Sequence, residues 1–474
     1  MIISKEDREK ERTLFESERK QSPALFERAP MIDDDAALRS IGIEGAYGDR
    51  PVGYLKLYPQ DFVVEEISKE GVIRTIDLGS DVVSMDGEGS TYYADLVKMG
   101  ISTLEAKEQL AHALSIDEKN IGYAGIKDKL ALTSQVISIR GVRDPKKIAE
   151  TYFDNSFLKN IRRGKGVIVN GDLKGNRFTI TLRLSSPITP ALKEELEKKV
   201  EDARQDGFWN FFYLQRFGTP RLLSHALGRL LLVGDYEGVV KMMMTHASSR
   251  EIPYFIAIRG ELAKKWGDWK AIEDILAPFP TNLSHELVLA RWLAAHPGDF
   301  LGALRTIPDQ IRLWIYAYAS FLFNKKLSEL IALGDIPLWL PILNSYNPND
   351  WKPYAKFLEE DGVRLPSRAY KDFPFLFIDS RKCATLQPVE IHAAAFEDRI
   401  TIFSFSLPKG SYATSFLASF FMLASGMPVV SGTFNGQIDG GALLGRESFV
   451  PVLERFKAVL DRHEADMAGS NTEE

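Results

Sequence analysis

Hydrophobic and polar positions change their period several times along this chain. Phe178, Ile180 and Leu182 alternate with Thr179, Thr181 and Arg183, which predicts a strand over 176–184. Residues 61–66 read the same way, and Phe403, Phe405 and Leu407 alternate with Ser404 and Ser406 over 401–407. An apolar strand-like run covers Ile121–Ile126, and an alternating one covers Gln135–Ile139. Ser102–Ser115 predicts a helix: Ser102 and Glu105 have capping-box spacing, and Leu104, Ala111 and Leu114 fall on one face. From about 219 to 345 the texture is nearly continuous helix. Within it Gly234-Asp235-Tyr236, Gly267-Asp268-Trp269 and Gly298-Asp299-Phe300 recur, each ahead of an apolar helical stretch. Gly, Asp and an aromatic in that order suit a helix stop, a cap and a restart. The recurrence fits a short solenoid of helical hairpins, and fits equally an irregular helical domain with similar turns.

These textures divide the chain into a charged extension (1–45), the first half of a mixed α/β domain (46–218), a helical insertion (219–345), the second half (346–455) and a C-terminal tail (456–474). The acids Glu464, Asp466, Glu473 and Glu474 mark that tail as frayed. With 45% hydrophobic residues the chain can bury ordinary cores. Its one cysteine, Cys383, excludes an intramolecular disulfide and fits a reducing compartment. The charged N-terminus is no secretory signal, and a cytoplasmic protein is expected. No charge stands between Lys409 and Asp439, but the apolar part, Tyr412–Leu423, is short and broken by serines. It predicts a buried helix, not a membrane span.

The net charge of −6 argues mildly against nucleic acid, but distribution matters more than the total. Lys159, Arg162, Arg163, Lys165, Lys174, Arg177 and Arg183 stand against Asp172 alone, a basic segment in an acidic protein. Arg162, Arg163 and Lys165 are its candidate RNA contacts. The densest chemical signal is Ile121–Gly141, where Asp128 stands between Lys127 and Lys129 on a loop between two strand-like runs. Flanking cations favour its ionised form, as a nucleophile or general base requires.

The segment GYAGIKDKLALTSQVISI resembles the signature of the TruD-type pseudouridine synthases. Further blocks resemble that family in order: KLYPQDFVVEE (56–66), LKGNRFTITLR (173–183), WNFFYLQRFG (209–218), AYASFLFNKKLS (317–328) and FSLPKGSYAT (405–414). The resemblance implies an α+β fold, a pseudouridine-synthase-like mixed-sheet catalytic domain with a mainly helical inserted domain. It implies isomerisation of uridine to pseudouridine in tRNA at position 13, with Asp128 as the catalytic nucleophile. Lys56 is then expected to pair with Asp128, Phe212 to pack on the target base, and Asn210 to orient a uracil edge or the Asp128 loop. Gly175 and Asn176, and the segment 408–414, take structural roles, with Gly175 and Gly410 supplying backbone freedom.

The chain departs from the family pattern at Trp209, Tyr213, Ala319 and Glu329. Tyr213 stands where a small glycine is usual, next to Phe212, and Trp209 stands where proline is usual; the two bulky residues read as adjusted together. No phosphate-binding glycine loop or nucleophile elbow is present. The seven histidines lack metal-ligand spacing, so no metal and no cofactor are expected. tRNA is the expected partner, with no membrane and no obligate protein partner. Two alternatives stand beside the enzyme: a non-catalytic RNA-binding relative, and a helical-repeat interaction protein working through 219–345.

Overall fold

The computed structural model describes residues 4–471 apart from 28–29, 81, 85 and 427–428. It divides into a sheet unit, Arg50–Trp209 with Leu386–Glu474, and a helical unit, Met1–Asp49 with Asn210–Thr385. The class is α+β.

The sheet is built chiefly from β1 (Val52–Leu55), β2 (Phe62–Ser68), β3 (Thr91–Met99), β4 (Ile121–Tyr123), β5 (Leu132–Arg140), β6 (Ser156–Gly164), β7 (Leu173–Leu184), β8 (Glu390–Glu397), β9 (Ile400–Pro408) and β10 (Met422–Ser425). Across it run β8, β9 and β7, then β1 and β2 end to end, then β5, β3 and β6. β10 lies parallel to β1, and β4 antiparallel to β5.

β1 and β2 are one interrupted strand. Leu55 faces Leu182 and Phe62 faces Ile180, so residues 56–61 leave the sheet between near-adjacent positions of β7. Lys56 begins the excursion with φ +61°, in the left-handed region that L-residues rarely enter. Asp61 ends it, fully buried against Arg183 and accepting the Tyr58 N–H at 2.9 Å.

Cross-strand partners share a sheet face. Val64, Thr133 and Lys98 therefore look one way, with Leu96 and Gln135 beside them. On that face the helix Thr103–Leu114 packs Ala106, Leu110, Ala111 and Leu114 over Tyr92, Ala94 and Leu96. Ser102 caps it in a closed capping box with Glu105. Leu104 does not join the buried face: it is exposed, because the apolar stripe runs through 103, 106, 110 and 114. On the other face Val63, Val97, Met99 and Leu132 pack against Phe449, Phe456, Val459 and Leu460. The last two belong to the helix Lys457–Asn471; Glu473 and Glu474 lie outside the described residues.

Three further local expectations change. The apolar run at 121–126 is strand only to Tyr123, after which the chain turns. The helix expected over 412–423 is confined to Ala413–Leu417, and Met422–Ser425 joins the sheet because the edge of β1 offers a parallel partner. Gly175 is required for space, not for backbone freedom. It pairs with Pro408, and a Cβ there would meet the Leu407 carbonyl oxygen at 2.1 Å. Gly410 does take φ +88°.

In the helical unit each Gly-Asp-aromatic segment joins two helices. Gly234, Gly267 and Gly298 have φ of +90°, +95° and +84°. Asp235, Asp268 and Asp299 then cap the helices Tyr236–Thr245, Trp269–Leu276 and Phe300–Arg305, accepting the N–H of the third residue on. The N-terminal helix Lys5–Gln21 docks here: buried Glu11 accepts the Thr281 N–H at 2.7 Å and the Asn282 N–H at 3.0 Å. Phe15 packs among Phe26, Tyr254, Phe255 and Phe279. The long helix Pro308–Leu333 runs through the unit. Among the described residues no helix is long and apolar enough to cross a membrane.

Candidate active site

Asp128 sits on the turn between β4 and β5, and the turn is pinned residue by residue. Gln135, on β5, donates to the Gly125 carbonyl at 3.1 Å. Thr103, at the start of the helix, accepts the Lys127 N–H at 2.9 Å and donates to Gln135 at 3.1 Å. Lys98, on β3, donates to the Asp128 carbonyl at 2.7 Å and the Ile101 carbonyl at 2.8 Å. With its backbone so held, Asp128 keeps its carboxylate half-exposed (41% of the side-chain surface). Ile126 and Leu130, on either side, are apolar and exposed.

The flanking lysines do not serve Asp128. Lys127 points inward to Glu66 at 2.6 Å, in an ion pair buried on both sides. Lys129 pairs with Glu105 at 3.1 Å. A buried Glu66 needs a cation, and successive side chains of a turn diverge, so the sequence neighbours are drawn elsewhere. The cation on Asp128 is Lys56, whose Nζ makes an ion pair with Oδ2. Lys56 is itself mostly covered, and its Nζ lies 4.1 Å from the centroid of the Phe62 ring, a cation–π contact that limits where it can point.

Asn210 and Phe212 belong to the helical unit. Asn210 donates from Nδ2 to Ala384 at 2.9 Å and from its N–H to Thr385 at 2.9 Å. Phe212 is held by its backbone: buried Asn324 on the long helix accepts its N–H at 2.9 Å and donates to its carbonyl at 2.8 Å. The ring is half-buried, edge-on to Phe323 at 5.4 Å, with Arg216 5.5 Å from its centroid. Tyr213 is buried beside Asp33, which holds Arg250. Ala319 is buried within the long helix, and Glu329 pairs with Lys326 at 2.6 Å.

The basic segment is not one surface. Lys159 and Arg183 are buried in ion pairs with Asp77 and Asp61, and Arg177 binds Glu65 at 2.6 Å. On β6, Arg162 is half-buried over Tyr93. Arg163, facing the other way, is exposed and donates to Gly89 at 2.5 Å. Lys165 is exposed and paired with Glu88 at 2.7 Å.

Lys98, Glu66, Gln135 and Asn324 hold the site without a role assigned to them from the sequence; all but Lys98 lie within the family-like blocks. The signal available for the first three was their polarity within strands that are otherwise apolar on that face. Among the described residues no cluster of His, Cys, Asp and Glu could hold a metal ion.

Comparison with known proteins shows the family. A family model described as tRNA pseudouridine synthase D (TruD) matches residues 47–338. A Methanopyrus kandleri protein named "Probable tRNA pseudouridine synthase D" is 34% identical over 352 residues, 70% of this chain and 85% of its own length. A Methanocaldococcus jannaschii protein named "Probable tRNA pseudouridine synthase D 1" is 29% identical over 390 residues, 78% of this chain and 95% of its own. A crystal structure from Methanosarcina mazei, of a protein described as "Putative tRNA pseudouridine synthase D (TruD)", aligns with TM-score 0.63 and 24% identity, covering 81% of this chain and 97% of that one. At that identity the likeness speaks for the fold.

Proposed function

The chain belongs to the TruD family of tRNA pseudouridine synthases, and from that premise we propose that it isomerises uridine to pseudouridine in tRNA, at position 13, with Asp128 as the reacting acid. The enzyme is an isomerase. The reaction breaks the C1′–N1 bond, turns the uracil and joins C5 to C1′; a proton leaves C5 and one is gained at N1. No electrons are transferred overall.

One observation carries the assignment of Asp128: its carboxylate meets Lys56 on a turn whose backbone is fixed on both sides. A reacting carboxylate must be ionised and held still. Lys56 supplies the paired cation, the pinned turn supplies the position, and exposed Ile126 and Leu130 offer apolar contact to an unstacked base. Phe212 is assigned to the base face and Asn210 to its edge on the motif they occupy. Arg163 and Lys165 are assigned to phosphate contacts; Arg162 shares their basic segment but lies half-buried. The cytoplasm is the proposed location.

The test is to map pseudouridine in a tRNA pool incubated with the wild type and with Asp128→Asn. We expect conversion at position 13 by the wild type and none by the variant, with tRNA affinity retained. Affinity without conversion by the wild type would select a non-catalytic RNA-binding relative. Absence of both would favour an interaction protein working through its helices.

A further inference from the structure

Lys98 stands on β3 with no exposed surface, on the sheet face that carries Thr133 and Gln135. A lysine there is costly, because an ammonium taken out of water loses its hydration and an aliphatic residue would fill the space without that loss. Among the described residues no carboxylate forms an ion pair with it; its acceptors are the main-chain oxygens of Asp128 and Ile101. The charged groups around it are Asp128, Lys127 and Lys129 from the turn and Glu105 from the helix Thr103–Leu114. Lys127 and Lys129 are already paired with Glu66 and Glu105. The other ties hold the neighbours of Asp128, whereas Lys98 grips Asp128 itself.

We propose that Lys98 is the positioning residue of the Asp128 turn: its ammonium ties the Asp128 carbonyl to the Ile101 carbonyl, and the hold slackens when the amine loses its proton. This rests on the reading of Asp128 as the reacting acid. A charge-assisted hydrogen bond is about twice as strong as a neutral one, so the ammonium is the tighter clamp. The neutral amine still has donors for both carbonyls, so deprotonation loosens the turn without releasing it. Looseness matters here, since a misplacement of about 1 Å costs roughly 10²-fold in rate. Burial is the largest influence on Lys98 and pushes its ammonium down to about 7, with Asp128 opposing. The clamp is therefore charged on the acid side of neutrality and uncharged on the alkaline side, and the rate should fall as pH rises.

The experiment is single-turnover conversion of a tRNA transcript from about pH 6 to about pH 9, with tRNA affinity measured separately. Wild type, Lys98→Gln and Lys98→Arg are compared, their folding checked by circular dichroism and melting. We expect the wild-type rate to fall with a midpoint within about one unit of neutrality. Lys98→Gln should be about tenfold slower on the acid plateau, bind tRNA as the wild type does, and lack that midpoint. Lys98→Arg should recover part of the rate and move the fall beyond the range, because guanidinium stays charged. A flat wild-type profile overturns the proposal, as does Lys98→Gln with the wild-type rate or with the same alkaline midpoint. If neither variant folds, the wild-type profile alone decides. A wild type that converts no uridine at any pH overturns the reading of the reaction as well, and that total absence distinguishes the two failures.

Discussion

Arg183 closes a two-pronged fork on Asp61, with Nε and Nη2 each 2.8 Å from a different carboxylate oxygen and both side chains wholly buried. The same guanidinium donates from Nη1 to the Gly436 carbonyl at 2.6 Å and stacks 4.8 Å from the Tyr58 ring centroid. Asp61 closes the excursion that Lys56 begins, and Arg183 lies on β7, beside the gap between β1 and β2. A buried pair thus fixes the far end of the loop that delivers the cation to Asp128.

Arg183→Met should cost about 3–5 kcal/mol in chemical denaturation, because it leaves Asp61 buried without its counter-charge. Arg183→Lys should recover only part, since an ammonium cannot reproduce the planar fork. A loss below about 1 kcal/mol for Arg183→Met would mean that Asp61 reaches water or another partner.

Lys56→Met should slow turnover by about 10²-fold, the scale of losing one charged group placed on a reacting centre. Its aliphatic stem can still cover Phe62, and its charge faces Asp128 rather than solvent, so tRNA affinity should hold. Unchanged single-turnover kinetics with weakened binding would place Lys56 among the phosphate-binding groups instead.

The strands over 176–184 and 401–407 were legible because alternation reports directly on a face, and Phe178, Phe403 and Phe405 are indeed buried. The capping box at Ser102 and the Asp caps of the helical unit were legible because their hydrogen bonds span three residues. What could not be read was how charges pair across the sheet. Local sequence makes Lys127 and Lys129 look like partners of Asp128, yet the cation comes from Lys56, 72 positions away, a pairing that only the family motif suggests. Lys98 was hidden for the same reason, as β3 reaches β5 only through the sheet. Gly175 was read as flexible, though its need arises from a carbonyl on β9.

Charge reversal on β6 should separate two roles that the sequence groups together. Arg163→Glu with Lys165→Glu should weaken tRNA binding and reduce the log–log salt slope by up to about 1 for each phosphate that is no longer neutralised. Arg162→Glu should act on stability, because that side chain is half-buried over Tyr93 near Arg74 and Asp95. An unchanged slope for the double variant, in binding titrations at several salt concentrations, would turn this end of β6 away from the RNA.

Tyr213 stands where its relatives are expected to carry glycine, and its surroundings say what replacing it would do. The ring is buried beside Asp33, whose carboxyl is pushed up by burial against the pull of Arg250 and of Tyr213 itself. Tyr213 also precedes the short helix Leu214–Phe217, whose Leu214 and Phe217 are buried. Tyr213→Gly should therefore leave a cavity and cost about 3–5 kcal/mol, with a lowered melting temperature. Tyr213→Phe keeps the packing and removes only the hydroxyl, so it should cost at most about 1 kcal/mol, the net value of one hydrogen bond. If packing is the whole role, single-turnover rates per folded molecule stay unchanged in both variants while stability falls in that order. A Tyr213→Gly protein that melts like the wild type but converts tRNA faster would show the opposite: that the ring limits substrate fit beside Phe212 and is not needed to fill the core.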